Sequence, residues 1–263
     1  MSSQPHRAEA ADMHSLVALL PVPWGEDGLE LLREVHQETW VEDLDVAWEV
    51  PGERGTITLR SGHTVTLKVD EPIPELVDLA PTAKHPFAAA EVHQIENQQA
   101  IWRLVLEGAD KDPRRLAASF ARLLTTAVEA GAPAVFLPAC VQLHPPALLR
   151  HLSMDFNQPD AVINLFVSAW NDDEWMITRG LTLFGLPELE TRHNNGLNAA
   201  YFRLMDIAST MFLQQSPFPD GAQLQVGPQL FEARTGPSGP SDPQVPFCGH
   251  HGTLTVGPVS FDT

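Results

Sequence analysis

The stretch GTITLRSGHTVTLKV, residues 55–69, decides the fold class of this chain. Threonines alternate with apolar residues on both sides of a Ser-Gly-His centre at positions 61–63. A period of two with β-branched residues is typical of half-buried strands, and a small polar centre is typical of a tight turn. The stretch therefore predicts a β-hairpin, and the preceding segment 46–50 predicts a neighbouring strand.

Single helices interrupt further strands on either side of this hairpin. Apolar residues at helical spacing predict helices at 25–41, 113–130, 148–153 and 194–215. Further strands are predicted at 15–20, 91–106, 134–137, 162–170, 174–183, 229–233 and 253–256. Hairpins separated by single helices indicate an α+β fold of mostly antiparallel sheets with helices packed on them. The repeated cycle of strand, helix and strands leaves open that the chain has two related halves.

Composition suggests three portions of the chain. Residues 1–13 are small and polar and are expected to form a flexible tail. Residues 14–85 form an acidic N-terminal α/β portion, and residues 86–263 form a C-terminal α+β portion. The alternative is one continuous domain, because 263 residues can share a single core.

The charge balance excludes several classes of function. With 34 acids against 16 lysines and arginines the formal charge is −18, which disfavours binding to nucleic acid or to an anionic membrane surface. No apolar run is long enough to span a bilayer. The chain contains two cysteines, Cys140 and Cys248, which are expected to be free thiols in a reducing compartment. The expected location is therefore the cytoplasm, with no membrane association.

The acids concentrate near the N-terminal end. Residues 9–53 hold twelve acids and one base, Arg33. Five glutamates follow each other at steps of four along the predicted helix and just beyond it: Glu26, Glu30, Glu34, Glu38 and Glu42. Like charges at this spacing cost about 0.2–0.5 kcal/mol per pair, so the row opposes helix formation. It is either the solvated face of an amphipathic helix or a carboxylate surface for a basic protein partner.

A distinctive motif lies in the less charged half of the chain. Residues 176–190 read MITRGLTLFGLPELE and resemble a pattern, T-x-G-L-x-x-F-G-x-P-E-L-E, of a bacterial family of unknown function. The resemblance extends over roughly residues 90–235 and implies no particular chemistry. The residues that carry it include Thr178, Gly180, Gly185, Pro187, Glu188 and Glu190.

The motif residues also have a reading of their own. Gly180 and Gly185 suit tight turns, and Pro187 suits the first position of a helical turn with Glu188 and Glu190 at its N-terminus. The motif is therefore either a packed corner or a carboxylate pair that ligates a metal or acts as a general base.

Candidate metal and nucleophile residues are scattered. The best local cluster is Cys248, His250 and His251, whose ligand types suit zinc. Adjacent side chains of an extended segment point to opposite faces, so these three residues are weak candidates and no cofactor is expected. The pairs His85 with His93 and His144 with His151 are weaker still. Cys140 is expected to be a small buried residue, with a nucleophile as the alternative.

These observations favour a non-catalytic protein over an enzyme. The sequence contains no G-x-S-x-G, H-E-x-x-H, G-x-G-x-x-G, P-loop or C-x-x-C motif. The leading hypothesis is an acidic protein-binding module, for example an immunity-type inhibitor of a bacterial toxin. One alternative is a metal-dependent enzyme that uses Glu188, Glu190 and histidines. Another is an adaptor or structural component of a bacterial assembly.

Overall fold

The computed structural model describes residues 15–24, 27–107, 112–172, 174–193, 196–236 and 252–259. This described part has an α+β fold with two mostly antiparallel sheets, as the sequence predicts. Its α-helices are α1 (Gly28–Trp40), α2 (Ala89–Glu96), α3 (Pro113–Glu129), α4 (Pro146–Ser153), α5 (Pro159–Phe166) and α6 (Leu197–Gln214). None of the helices described is both long enough and apolar enough to cross a membrane.

The first sheet contains the hairpin that decides the fold class. Its strands are β1 (Ser15–Val22), β2 (Asp45–Val50), β3 (Arg54–Thr58), β4 (Thr64–Asp70), β5 (Ala100–Glu107), β6 (Val135–Leu137) and β7 (Gln142–His144). They lie in the order β2-β3-β4-β5-β1-β6-β7, and all neighbouring pairs are antiparallel. In the hairpin β3–β4, Ile57 lies opposite Val65 and both are buried, while the threonines beside them are more exposed.

The two faces of the first sheet carry different helices. On β1, Leu16 and Leu20 pack into the main core with Leu29 and Leu32 of α1. The intervening Leu19 faces the other way, into a smaller cluster with Leu76 of the 3₁₀ helix Pro74–Thr82 and residues of α2. Helices α1 and α3 therefore cover one face, and the 3₁₀ helix and α2 cover the other.

The second sheet resembles the first in its chain path. Its strands are β8 (Ser168–Asp172), β9 (Trp175–Arg179), β10 (Glu188–Arg192), β11 (Ala222–Val226), β12 (Gln229–Thr235) and β13 (Thr253–Pro258), in the order β11-β12-β13-β10-β9-β8. In each sheet a strand (β1 or β10) leads through a helix (α1 or α6) into a meander whose last strand pairs with the first. The first meander has four strands and closes antiparallel, whereas the second has three and closes parallel. Neighbouring strands of a meander alternate in direction. A meander of four strands therefore ends in the opposite direction to a meander of three, which accounts for the difference.

Two segments predicted as strands begin as helices. The predicted strand 91–106 is wrong at its start, because Ala89–Glu96 form α2 and β5 begins at Ala100. The Glu91 side chain accepts a hydrogen bond of 2.8 Å from the backbone N–H of Ala88, a helix-start signal outside the apolar pattern. The predicted strand 162–170 is wrong in the same way, because α5 covers Pro159–Phe166. Residues 161–163, 165 and 166 of α5 are all apolar and buried, so the segment is a short, nearly continuous apolar run in which the helical period is hard to recognise.

Three strands, β7, β10 and β11, have no counterpart among the predicted strands, and β11 shows why. The strand β11, with sequence AQLQV, holds one buried residue, Leu224, and follows a proline-rich segment. It forms a hairpin with β12, in which Leu224 lies opposite Phe231. Pairing with β12, more than its own composition, makes this segment a strand.

The apolar core joins the two sheets. One cluster of buried side chains runs from Leu16 and Leu32 near the first sheet to Leu189 and Leu254 in the second. The first sheet itself contains strands from both sides of residue 85, since β5 lies between β4 and β1. Residues before and after position 85 therefore share the first sheet and the apolar core.

Candidate functional site

The acidic row of the sequence corresponds in part to an exposed helix face. Glu30, Glu34 and Glu38 all lie on α1, and all three side chains are exposed. Glu30 pairs with Arg33 at 2.5 Å, and Glu34 and Glu38 have no ion pair within the described residues. Glu26 lies outside the described residues. The inner side of α1 buries Leu29, Leu32 and His36, so the row is the outer face of an amphipathic helix.

Glu42 does not belong to the helical row. Helix α1 ends at Trp40, and Val41 takes a left-handed conformation with φ 56° that turns the chain away. Glu42 is half-buried and accepts hydrogen bonds from Arg122 of α3 at 3.3 Å and from Arg60 at 3.4 Å. The Arg122 guanidinium also lies over the Trp40 ring. Glu42 therefore joins α1 to α3 and cannot be offered to a partner as freely as the other glutamates.

Further exposed acids continue the negative surface beyond α1. Asp43, Asp45 and Glu53 are exposed on and around β2, which α1 contacts, and have no ion pair among the residues described. Glu49 on the same strand is paired with Arg54 at 2.6 Å. We define the acidic surface as Glu30, Glu34, Glu38, Asp43 and Glu53. Asp45 is not part of it, because strand alternation directs its side chain away from the face on which Val46 and Trp48 pack into the core with α1.

The family-like motif forms a buried corner around the Glu188 carboxylate. The predicted helical turn at Pro187 is wrong, because residues Glu188–Arg192 form β10 and the short 3₁₀ helix lies earlier, at Leu181–Phe184. The Glu188 carboxylate accepts hydrogen bonds from Thr178 Oγ1 at 2.7 Å and from the backbone N–H groups of Gly180 at 2.8 Å and Thr182 at 3.3 Å. Burial raises the pKa of Glu188, although these hydrogen bonds oppose the rise.

The other motif residues complete the corner. Glu190 is fully buried and accepts a 2.5 Å hydrogen bond from Thr255 Oγ1 on the neighbouring β13. Gly180 has φ +116°, and a Cβ there would lie 2.1 Å from the Phe166 carbonyl oxygen, so only glycine fits. Gly185 has φ +70° with open space around it, and Pro187 is buried. Both carboxylates are therefore engaged in holding β9, β10 and β13 together.

The cysteine and histidine candidates that the structure describes do not converge on a metal site. Cys248, His250 and His251 lie outside the described residues. Within the described ranges no group of three histidine, cysteine, aspartate or glutamate side chains is placed to hold a metal ion. Cys140 is fully buried, and burial raises the pKa of its thiol to about 12, which keeps it protonated at neutral pH.

The histidines 85, 144 and 151 form a different arrangement with Lys84. His144 is buried, and its Nε2 donates to the Leu165 carbonyl oxygen at 2.9 Å. Burial, helped by the charges of Lys84 and His85, lowers the pKa of His144 to about 4. Lys84 Nζ donates to Asn164 Oδ1 at 2.8 Å and lies 5.0 Å from the centre of the Tyr201 ring. The sequence gives no sign of this cluster, because its members come from four separate segments.

A cleft of about 630 Å³ lies between α5, α6 and β11. Asp160 of α5, Asp206 and Leu213 of α6, and Phe218 form one side, and residues 223–227 form the other. Sequence reasoning misses the cleft because α5 is predicted there as a strand and β11 is not predicted.

Comparisons with known proteins add no further assignment. Scans of family models, of curated proteins and of solved structures each found no match to this chain, so the resemblance of residues 178–190 to a bacterial family stays a prediction.

Proposed function

We propose that this protein is a non-catalytic binding module that engages a basic protein partner through the acidic surface. One observation carries the proposal: Glu34, Glu38, Asp43 and Glu53 are exposed and have no ion pair within the described part of the chain. An immunity-type inhibitor of a bacterial toxin is one concrete form of such a module.

The energetics of the free protein support this proposal. The steps Glu30–Glu34 and Glu34–Glu38 each place like charges on one helix face, at a cost of about 0.2–0.5 kcal/mol per step. The cations of a basic partner would offset this repulsion by attracting the glutamates. The long-range field of a chain with net charge −18 would also steer such a partner to the surface. Such association weakens with ionic strength, because exposed charges are screened over about 8–10 Å near physiological salt.

The test compares two charge-reversal variants in a pull-down from extract of the native host. The first carries Glu30→Lys, Glu34→Lys and Glu38→Lys. The matched control carries Glu71→Lys, Glu75→Lys and Asp78→Lys, which change the charge equally at exposed positions beside or within the 3₁₀ helix Pro74–Thr82, on the opposite side of the first sheet.

The expected result is that a basic protein is recovered with the wild type and with the control, but not with the α1 variant. Raising the salt to about 0.5 M should also release it from the wild type. Equal recovery by the two variants, with circular dichroism confirming that both are folded, would refute the role of the acidic surface.

The enzyme hypothesis depends on a metal bound through Glu188, Glu190 and histidines. Elemental analysis of the purified protein and of Glu188→Ala and His250→Ala variants tests it directly. A stoichiometric metal that both substitutions remove would favour this alternative over the binding module. A role as adaptor in a larger assembly predicts stable association with several proteins, and size-exclusion chromatography of the native complex would reveal it.

A further inference from the structure

We propose that the cleft between α5, α6 and β11 binds an extended, basic segment of a partner protein, which adds as a strand to the edge of β11 that faces away from β12. This inference rests on the proposed function in expecting a basic partner, but it concerns a second surface in the other half of the chain.

Within the described residues β11 lies at the end of its sheet. Among the described residues β11 pairs with β12 alone, so its outer edge presents backbone N–H and C=O groups at alternate residues. Successive side chains of a strand point to opposite faces. The cleft is nevertheless lined by all of residues 223–227, so it runs along the edge of β11 and not over one face.

The side of the cleft opposite β11 offers apolar contacts. Leu213 is 54% exposed and, with Phe218, offers apolar contact to alternate side chains of a bound strand. The five residues of β11 correspond to a strand of about 17 Å. An open cleft of this kind suits a short extended segment bound by main-chain hydrogen bonds and shallow side-chain contacts.

Two acidic side chains line the cleft and favour a basic occupant. Asp160 and Asp206 both line the cleft, and neither has an ion pair within the described ranges. The nearby Arg114 donates to the Leu213 carbonyl oxygen at 3.3 Å, but its guanidinium is already paired with Asp112 at 3.1 Å. Two uncompensated carboxylates therefore select lysine or arginine in the occupant and disfavour an acidic segment.

The experiment measures fluorescence anisotropy of labelled peptides against the full chain at low salt. The probe is a nine-residue peptide of alternating lysine and valine, and the comparison peptide alternates glutamate and valine. The cleft variant carries Asp160→Asn and Asp206→Asn. The matched control carries Glu71→Gln and Asp78→Asn, which remove the same charge at exposed positions away from the cleft.

We expect the lysine peptide to bind and the glutamate peptide not to bind. The cleft variant should weaken binding at least 5-fold and the control less than 2-fold. Methylating alternate backbone nitrogens of the lysine peptide, in the register that faces β11, should abolish binding, because a methylated amide cannot donate to the strand edge. Hydrogen exchange should slow at Ala222–Val226 when the unmethylated peptide is bound.

The outcomes separate this inference from the proposed function. A third variant, Glu30→Gln with Glu34→Gln, reports on the acidic surface. If binding falls with that variant and not with the cleft variant, the cleft inference fails and the acidic surface stands. If binding survives methylation in both registers, strand addition is refuted. If the lysine peptide does not bind at all, the cleft inference fails, and the pull-down alone decides the proposed function.

Discussion

The glutamates of the motif corner and those of helix α1 occupy opposite environments. Glu188 is 2% exposed and its carboxylate accepts three hydrogen bonds, whereas Glu34 is exposed and has no ion pair among the residues described. Removing the first should damage the fold, while removing the second should relieve repulsion. The motif at residues 178–190, although it is the most distinctive part of the sequence, therefore stabilises the fold through buried hydrogen bonds. The exposed glutamates of α1, which repel each other, are better candidates for binding a partner.

The strongest challenge to this comparison is a substitution at the tightest point of the motif corner. Gly180→Ala places a Cβ 2.1 Å from the Phe166 carbonyl oxygen at φ +116°, and should lower the free energy of unfolding by more than about 3 kcal/mol. Urea unfolding measures this loss. Gly185→Ala, with φ +70° and open space, is the matched control and should cost about 1 kcal/mol. Equal small losses at both glycines would show that the corner is not tightly packed.

The stability of the fold should depend on pH through the buried His144. The pKa of His144 is about 4 in the fold against 6.5 for a free histidine, so the unfolded chain binds the extra proton. Stability from His144 is therefore complete above pH 6.5 and is lost as the pH falls toward 4. The loss amounts to about 3 kcal/mol.

The His144 prediction is checked by urea unfolding between pH 7 and pH 4. His144→Gln removes the titration, so the difference in stability between wild type and variant should shrink by about 3 kcal/mol over this range. His93→Gln, at an exposed position of α2, is the control. A constant difference for His144→Gln would contradict the burial of a neutral imidazole.

Two substitutions of Glu188 separate the effect of its charge from that of its hydrogen bonds. Glu188→Ala leaves the Thr178 hydroxyl and two backbone N–H groups without their acceptor, and should destabilise the fold by about 2 kcal/mol. Glu188→Gln keeps an acceptor oxygen, and Thr178 Oγ1 can accept from the new amide, so it should cost less. Because burial raises the pKa of Glu188, its ionised form opposes folding as the pH rises above 4.5. Thermal unfolding at pH 7 that ranks Gln below Ala would contradict this assignment.

The smallest expected effect has the opposite sign. Glu34→Gln on α1 removes two like-charge contacts at steps of four and should raise the free energy of unfolding by about 0.4–1 kcal/mol at low salt. The gain should vanish near 1 M salt, where the screening length is about 3 Å. Glu71→Gln, an exposed acid outside the α-helices, should change little. A loss of stability at Glu34 would mean that its carboxylate has a structural role.

Local patterns in the sequence predict much of the fold. The alternation at 55–69 gives the hairpin β3–β4, and the Asp112-Pro113 start with Gly131 beyond the end gives α3. These segments are recognisable because one side faces water and the period shows. The helical start of 89–96 and the helix α5 are not evident from the pattern, since the first depends on a side-chain cap and the second is a short, nearly continuous apolar run.

The candidate sites were predicted less completely than the fold. Spacing by four brought out Glu30, Glu34 and Glu38 because they share one helix, but it could not show that Glu42 bonds to Arg122 and Arg60. The cleft beside β11 was missed because its walls come from residues far apart in the chain. Charge and proximity along the chain are visible in a sequence, whereas contacts across it are not.

Local sequence patterns are sufficient to predict the α+β class of the fold, the excess of acids near the N-terminal end and the row of glutamates on α1. Each of these depends on neighbours within one turn or one strand. Only the folded chain shows that the Glu188 and Glu190 carboxylates are buried hydrogen-bond acceptors between strands and that Glu42 is paired with Arg122. It also shows that β11, which pairs with β12 alone among the described residues, lies beside two aspartates. The physical reason is that burial and hydrogen-bond partners come from distant segments, so identical side chains acquire opposite roles only when the chain is folded.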